Sequence, residues 1–143
     1  MEEEYFFGAS YKGTKKFDQW EVPTANATGF GAAADDFMER GIDLNEQLVK
    51  NKPATFFFRM RGDAMTDAGI HPGDVLVVDR SIKPVNGKII VAIVNDELVV
   101  RRLHTAMNKN YLLPENKRFS TIELTEFGQH MVWGTVTFVI KSV

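Results

Sequence analysis

Residues 58–81, FRMRGDAMTDAGIHPGDVLVVDRS, have the layout of a reactive turn but lack a reactive atom. An apolar run leads into the turn Gly62-Asp63-Ala64-Met65, and a second Gly-Asp turn, Gly73-Asp74, opens another apolar run. A tight turn just after a strand can present one side chain and aim main-chain N–H groups, here those around Gly62, Asp63 and Met65, at a developing oxyanion. The side chain presented is Ala64, which can attack nothing. Arg101 and Arg102 could clamp a phosphate or carboxylate. The plainer expectation puts one in solvent and the other on an ion partner, because neighbours on a strand face opposite ways. His71, His104 and His130 are far apart in sequence and no pair has metal-ligand spacing, so hydrogen-bonding roles are expected and neither metal nor cofactor is.

Strands must carry these turns. After Pro53, the stretches ATFFFRMR, DVLVVD, GKIIVAIV, ELVVRRLH, NYLLPE and MVWGTVTFVIKSV are rich in β-branched and aromatic residues and bounded by Gly, Asn, Asp or Pro. VNDELVV reads as a tight hairpin with Asn95-Asp96 at its turn. Residues 32–50 carry apolar positions (Phe37, Ile42, Leu44, Leu48, Val49) at helix-type spacings, with Gly41 as a break and Asp43 as a cap. Asp35-Asp36 suits the start of a helix through its dipole. Gly29-x-Gly31-x-x-Ala34 formally matches a dinucleotide fingerprint, yet residues 22–28 before it are no buried strand and the downstream chain is β-rich. Residues 1–31 mix Tyr5, Phe6, Phe7, Tyr11, Phe17 and Trp20 with turn-prone residues and read as an extended arm that docks on something. The expected organisation is an arm over residues 1–31 and a mainly β domain over residues 32–143 with a short helical lead-in.

Composition narrows the function classes. A chain of 143 residues supports one sound core, and 44% apolar with 25% charged residues is ordinary for a soluble globular protein. A net charge of −2 gives no basic footprint, which disfavours direct nucleic-acid binding. With no cysteine there is no disulfide, thiolate chemistry or cysteine zinc site. No apolar run approaches membrane-spanning length and the first residues, Met1-Glu2-Glu3-Glu4, are unlike a signal peptide, so a cytoplasmic protein without a membrane partner is expected.

Gly62-Asp63-Ala64-Met65, followed by Gly69-Ile70-His71-Pro72-Gly73-Asp74, resembles the motif pair of the LexA/UmuD group of self-cleaving Ser-Lys peptidases (S24-like), most closely its UmuD branch. That group has Gly-Asp-Ser-Met and Gly-Ile-x-x-Gly-Asp at these places. Its lysine lies on a later hairpin strand in a context matched by Val100-Arg101-Arg102-Leu103. Upstream, GFGAAADDFMERGIDLNEQLVKNKPATFFF is similar to the stretch from cleavage site to first core strand, and VWGTVTFVIK resembles the closing strand. The resemblance implies a LexA/signal-peptidase-like complex β fold. It places Ala64 at the nucleophile position, Arg101 at the general-base position and Thr28-Gly29 where the group has its Cys-Gly or Ala-Gly scissile pair.

A Ser-Lys dyad needs a hydroxyl to attack and a neutral amine to take its proton. Arginine keeps its charge in proteins, with a pKa above ~12, so neither Arg101 nor Arg102 can be that base. The chain as written is therefore expected to cleave nothing. A serine exchanged for alanine in an otherwise active peptidase would leave the lysine in place, which Arg101 does not match, so natural loss of the dyad is the favoured reading. The resemblance further implies a homodimer of the DNA-damage (SOS) response, a RecA filament that stimulates arm removal, and an error-prone, UmuC-like polymerase as partner. The effector half of a LexA- or phage-type repressor is a lesser alternative, because the residues before the cleavage-site match show no helix-turn-helix period.

Overall fold

The computed structural model describes residues 8–10, 41–125, 128 and 130–143. The chain divides into two units, one of Met1–Tyr11 with Asn51–Val143 and one of Lys12–Lys50. In the second unit the described residues carry one helix, α1 (Leu44–Leu48), within the part of the expected helical stretch that follows Gly41. Gly41 sits at φ 77°, and Asp43 is extended with its carboxylate accepting from the N–H of Asn45, so the break and cap fall where the sequence placed them. Residues 32–40, with Asp35-Asp36 and the end of the Gly29-x-Gly31-x-x-Ala34 stretch, lie outside the described residues, as does Thr28-Gly29.

The described residues of the first unit form an antiparallel sheet of eight strands, β1 (Gly8–Ser10), β2 (Thr55–Arg59), β3 (Val75–Asp79), β4 (Ile89–Val94), β5 (Glu97–Ala106), β6 (Lys109–Leu113), β7 (Ile122–Leu124) and β8 (His130–Ile140), in the order β1-β2-β3-β8-β4-β5-β6-β7. The mainly β expectation holds, and the six strand stretches read from the sequence correspond to β2, β3, β4, β5, β6 and β8. Two short strands had no clear sequence signal. One is β7; the other is β1, which takes three residues of the expected arm and pairs with Phe56, Phe57 and Phe58.

The last long strand joins the sheet. β8 pairs with β3 on one side and β4 on the other, and it shifts register against both, between Val77 and Val78 and between Val91 and Ala92. Such bulges add local twist and let one long strand serve two neighbours. Hydrophobic packing covers both faces of the β4–β5 hairpin. Val91 and Val100 belong to one buried cluster with Phe58, Met60, Met65, Ile70, Leu76 and Val78, whereas Ile90, Ala92, Val99 and Leu103 belong to another with Leu112. Two-sided burial is why IIVAIV is an unbroken apolar run instead of an alternating one. The hairpin turns at Asn95-Asp96, both at positive φ (50° and 66°), the twist-matched geometry that Asn and Asp tolerate.

Candidate active site

The Gly-Asp turn follows β2 directly. Met60 leaves the strand and exchanges main-chain hydrogen bonds with the second Gly-Asp turn, its N–H donating to Asp74 O (2.8 Å) and its carbonyl accepting from Gly73 N–H (2.7 Å). The chain then passes Gly62 and Asp63, and the 3-10 turn Thr66–Ala68 closes on Gly69 at φ 83°. Met65 is wholly buried in the first hydrophobic cluster and anchors the turn from below. Ala64 is also 0% exposed. At this position the site offers a sealed methyl group with no proton to give and no lone pair to attack with.

A distant segment holds this turn. Glu115 donates its N–H to Ala64 O (2.8 Å) and accepts at its own carbonyl from Asp67 N–H (2.8 Å), spanning the motif from both ends. Asn116 Nδ2 donates to Asp63 O (2.8 Å), and Arg118 Nη1 pairs with Asp63 Oδ2 (3.2 Å). None of these bonds uses the N–H of Ala64 or Met65, the groups that an oxyanion-stabilising turn would direct outward.

The same segment meets β5. Arg101 is 5% exposed, its Nη1 donates to Val100 O (2.8 Å), and its guanidinium carbon lies 5.6 Å from the centre of the Phe119 ring, within cation–π range. Arg102, on the opposite face, pairs through Nε with Glu115 Oε1 (2.6 Å) and donates from Nη1 to Gly87 O (2.7 Å). One arginine thus has the ion partner the sequence reading foresaw. The other is buried instead of solvent-facing, because both faces of β5 are packed. Residues 115–119 therefore touch both positions singled out from the sequence, the turn at residue 64 and the cation at residue 101. Glu115, Asn116, Arg118 and Phe119 were not singled out in the sequence; they lie some fifty residues beyond the turn they hold, and LPENKRF has no pattern that names its partner.

The second Gly-Asp turn is a structural lock. Pro72 and Gly73 (φ 94°) occupy the centre of the turn closed by Asp74 N–H on His71 O (3.1 Å), a sequence and geometry suited to type II. The Asp74 carboxylate accepts from His71 N–H (2.8 Å) and from Lys141 Nζ just past the end of β8. Burial alone would raise the Asp74 pKa, but these hydrogen bonds and the Lys141 charge outweigh it and leave the carboxyl below its usual range. Lys141 Nζ also meets His71 Nδ1 at 3.0 Å. Of the other histidines, His104 lies against Tyr111, ring centres 6.1 Å apart, and His130 Nε2 contacts Thr125 O at 2.6 Å.

The family model for Peptidase S24-like proteins matches residues 22–137. Protein MucA of Salmonella typhimurium is 37% identical over 112 residues, 78% of this chain and 76% of MucA. Protein SamA of Salmonella typhimurium (strain LT2) is 38% identical over 114 residues, 80% of this chain and 79% of SamA. The LexA repressor of Hahella chejuensis is 38% identical over 98 residues, 68% of this chain and 48% of the repressor. The match includes both Gly-Asp turns, β5 and most of β8, and the chain belongs to the Peptidase S24-like family.

Proposed function

We propose that this chain is a UmuD-type accessory protein of the DNA-damage (SOS) response that works as a binding partner and not as a peptidase. The reading is carried by the burial of Ala64 and Arg101, the residues that the resemblance puts at the two chemical positions of an S24 site. Peptide cleavage by a dyad requires a nucleophilic oxygen and a base that can lose its proton, and these residues supply neither. Hydrogen bonds from Glu115, Asn116 and Arg118 hold the turn around Ala64 all the same. In this reading, a frame kept without its chemistry serves recognition. Thr28-Gly29 stays joined, and the arm remains part of the functional protein.

The partners follow from family membership and the resemblance: a second copy of the chain, an error-prone UmuC-like polymerase, and a RecA filament as the recognising surface. The closing end of β8 supports the dimer. β4 pairs with β8 only as far as Thr135, so residues 136–140 have β3 on one side and, on the other, a groove bordered by Gly87, Lys88, Ile89 and Arg102. Phe138, Val139 and Ile140 are each about two-fifths exposed there, an uncharged apolar edge suited to pairing with another strand. Among the described residues no helix is long and apolar enough to cross a membrane.

The test is direct. The purified chain is incubated with RecA, single-stranded DNA and nucleotide, and separately at alkaline pH, and its intact mass is followed for days. Sedimentation equilibrium gives its state of association. An unchanged mass and a dimer that co-purifies with a UmuC-type polymerase are expected. Loss of residues 1–28 would overturn the non-cleaving reading, and a monomer at every concentration would overturn the dimer.

A further inference from the structure

The Arg102–Glu115 pair is the only ion pair between β5 and residues 115–119 among the described residues, and it lies next to both positions of the proposed vacated dyad. Glu115 contributes three bonds to one place. Its N–H holds Ala64 O, its carbonyl holds Asp67 N–H, and its carboxylate is held by Arg102 Nε. Arg102 is itself fixed at a second point, Nη1 on Gly87 O. The β5–β6 ladder, which pairs Arg102 with Leu113, and the Phe119 ring against Arg101 already bring this segment to the sheet; the ion pair adds a tie at the one residue whose main chain holds the turn from both ends. The pair, with side chains about one-third exposed, joins that residue to β5, the strand that also carries residue 101.

We infer that Glu115 is a positioning residue: through Arg102 it sets where residue 64 stands relative to β5. The assignment rests on the reading of residues 64 and 101 as dyad positions, but its structural half can be examined without that reading. The sequence foresees an ion partner for one of the two arginines but does not name it, since Glu115 reads only as the polar end of a strand. The geometry gives the pair a task distinct from charge chemistry, because neither side chain is offered as a nucleophile or base.

The test is a double-mutant cycle with Glu115→Gln and Arg102→Gln, read by amide hydrogen exchange on the full chain. Each single change is expected to speed exchange of the residue-67 and residue-115 amides about tenfold while β4–β5 ladder amides stay as they were, and the second change adds little to the first. Arg102→Lys, which keeps the charge but not the two-point grip, falls between. In a background carrying Ala64→Ser and Arg101→Lys, Glu115→Gln is expected to lower the plateau of the self-cleavage rate about tenfold without moving the midpoint of its pH profile, as a positioning role requires. Exchange that is unchanged, or that rises equally across β4 and β5, would overturn the inference. So would a pH midpoint that shifts with Glu115. If the restored background does not cut at all, the dyad reading fails while the exchange cycle still decides the positioning claim.

Discussion

At Gly134 the long strand β8 leaves no room beside Val78 of β3 for a side chain, and Gly134→Ala is predicted to destabilise the fold. Gly134 lies opposite Val91 on the β4 side, next to the register shift. A methyl group added there would stand 2.7 Å from Val78 Cγ1, with Arg80 Cγ at 3.4 Å and Asp79 O at 3.6 Å. Carbon atoms prefer separations of ~3.5–4.0 Å, so Val78 or the strand must yield by about 1 Å. Val78 is wholly buried in the first hydrophobic cluster and β-branched, with few rotamers to move into. Overpacking of this kind costs about 1–3 kcal/mol, against roughly 0.4–1 kcal/mol returned by the stiffer unfolded chain. The expected net loss is about 1–2 kcal/mol, or a fall in Tm of roughly 3–8 °C for a chain of this size. Thermal and urea unfolding of the wild type, Gly134→Ala, Val78→Ala and the double variant measure it. Because Val78→Ala removes the methyl that is struck, the double variant should lose about 1 kcal/mol less than the sum of the singles. An unchanged Tm for Gly134→Ala, or strict additivity, would refute the steric reasoning.

Two further outcomes rest on local geometry. Asp74→Asn removes the charge that Lys141 and His71 N–H hold, and is expected to cost about 1–3 kcal/mol near neutral pH. Because the folded-state pKa of Asp74 is depressed, its contribution is full above the unfolded value of ~3.9 and is lost as pH falls through the lower folded value; the stability gap between wild type and variant should therefore be flat above about pH 5 and close in acid, as pH-resolved urea titrations would show. A gap that widens in acid would contradict this. Met107 is 96% exposed at φ 50° in the turn between β5 and β6, a backbone region a methionine tolerates poorly, so Met107→Asn is expected to raise stability by about 0.5–1 kcal/mol in the same assay.

Local signals made most of the sheet legible. Runs such as FFF and VLVV specify strands by side-chain shape alone, and Asn95-Asp96 announces its hairpin because both residues tolerate positive φ. Met107-Asn108 adopts the same turn at φ 50° and 61° but has no such signature, since its strands impose the geometry on an ill-suited methionine. Gly8, Ala9 and Ser10 have little strand preference of their own, and their pairing with β2 depends on a partner nearly fifty residues away. The site divides similarly. The second Gly-Asp turn was visible because its geometry needs Gly73 at φ 94°, and Gly69, at φ 83°, closes the 3-10 turn that follows the first. The residues that hold those turns, Glu115, Asn116 and Lys141, come from distant parts of the chain and had no local mark. Arg101 was legible as a cation that cannot be a base, but its burial was not, because it arises from packing on both faces of β5.

The central claim is that the chain keeps the frame of an S24 peptidase and lacks both halves of its chemistry. The most direct measurement is intact mass over several days at alkaline pH for the chain as written, for Ala64→Ser, and for Ala64→Ser with Arg101→Lys. The account predicts that the first two stay whole and that only the double change releases residues 1–28. Cleavage by the Ala64→Ser variant alone would contradict it, since a working base would then exist that Arg101 cannot be.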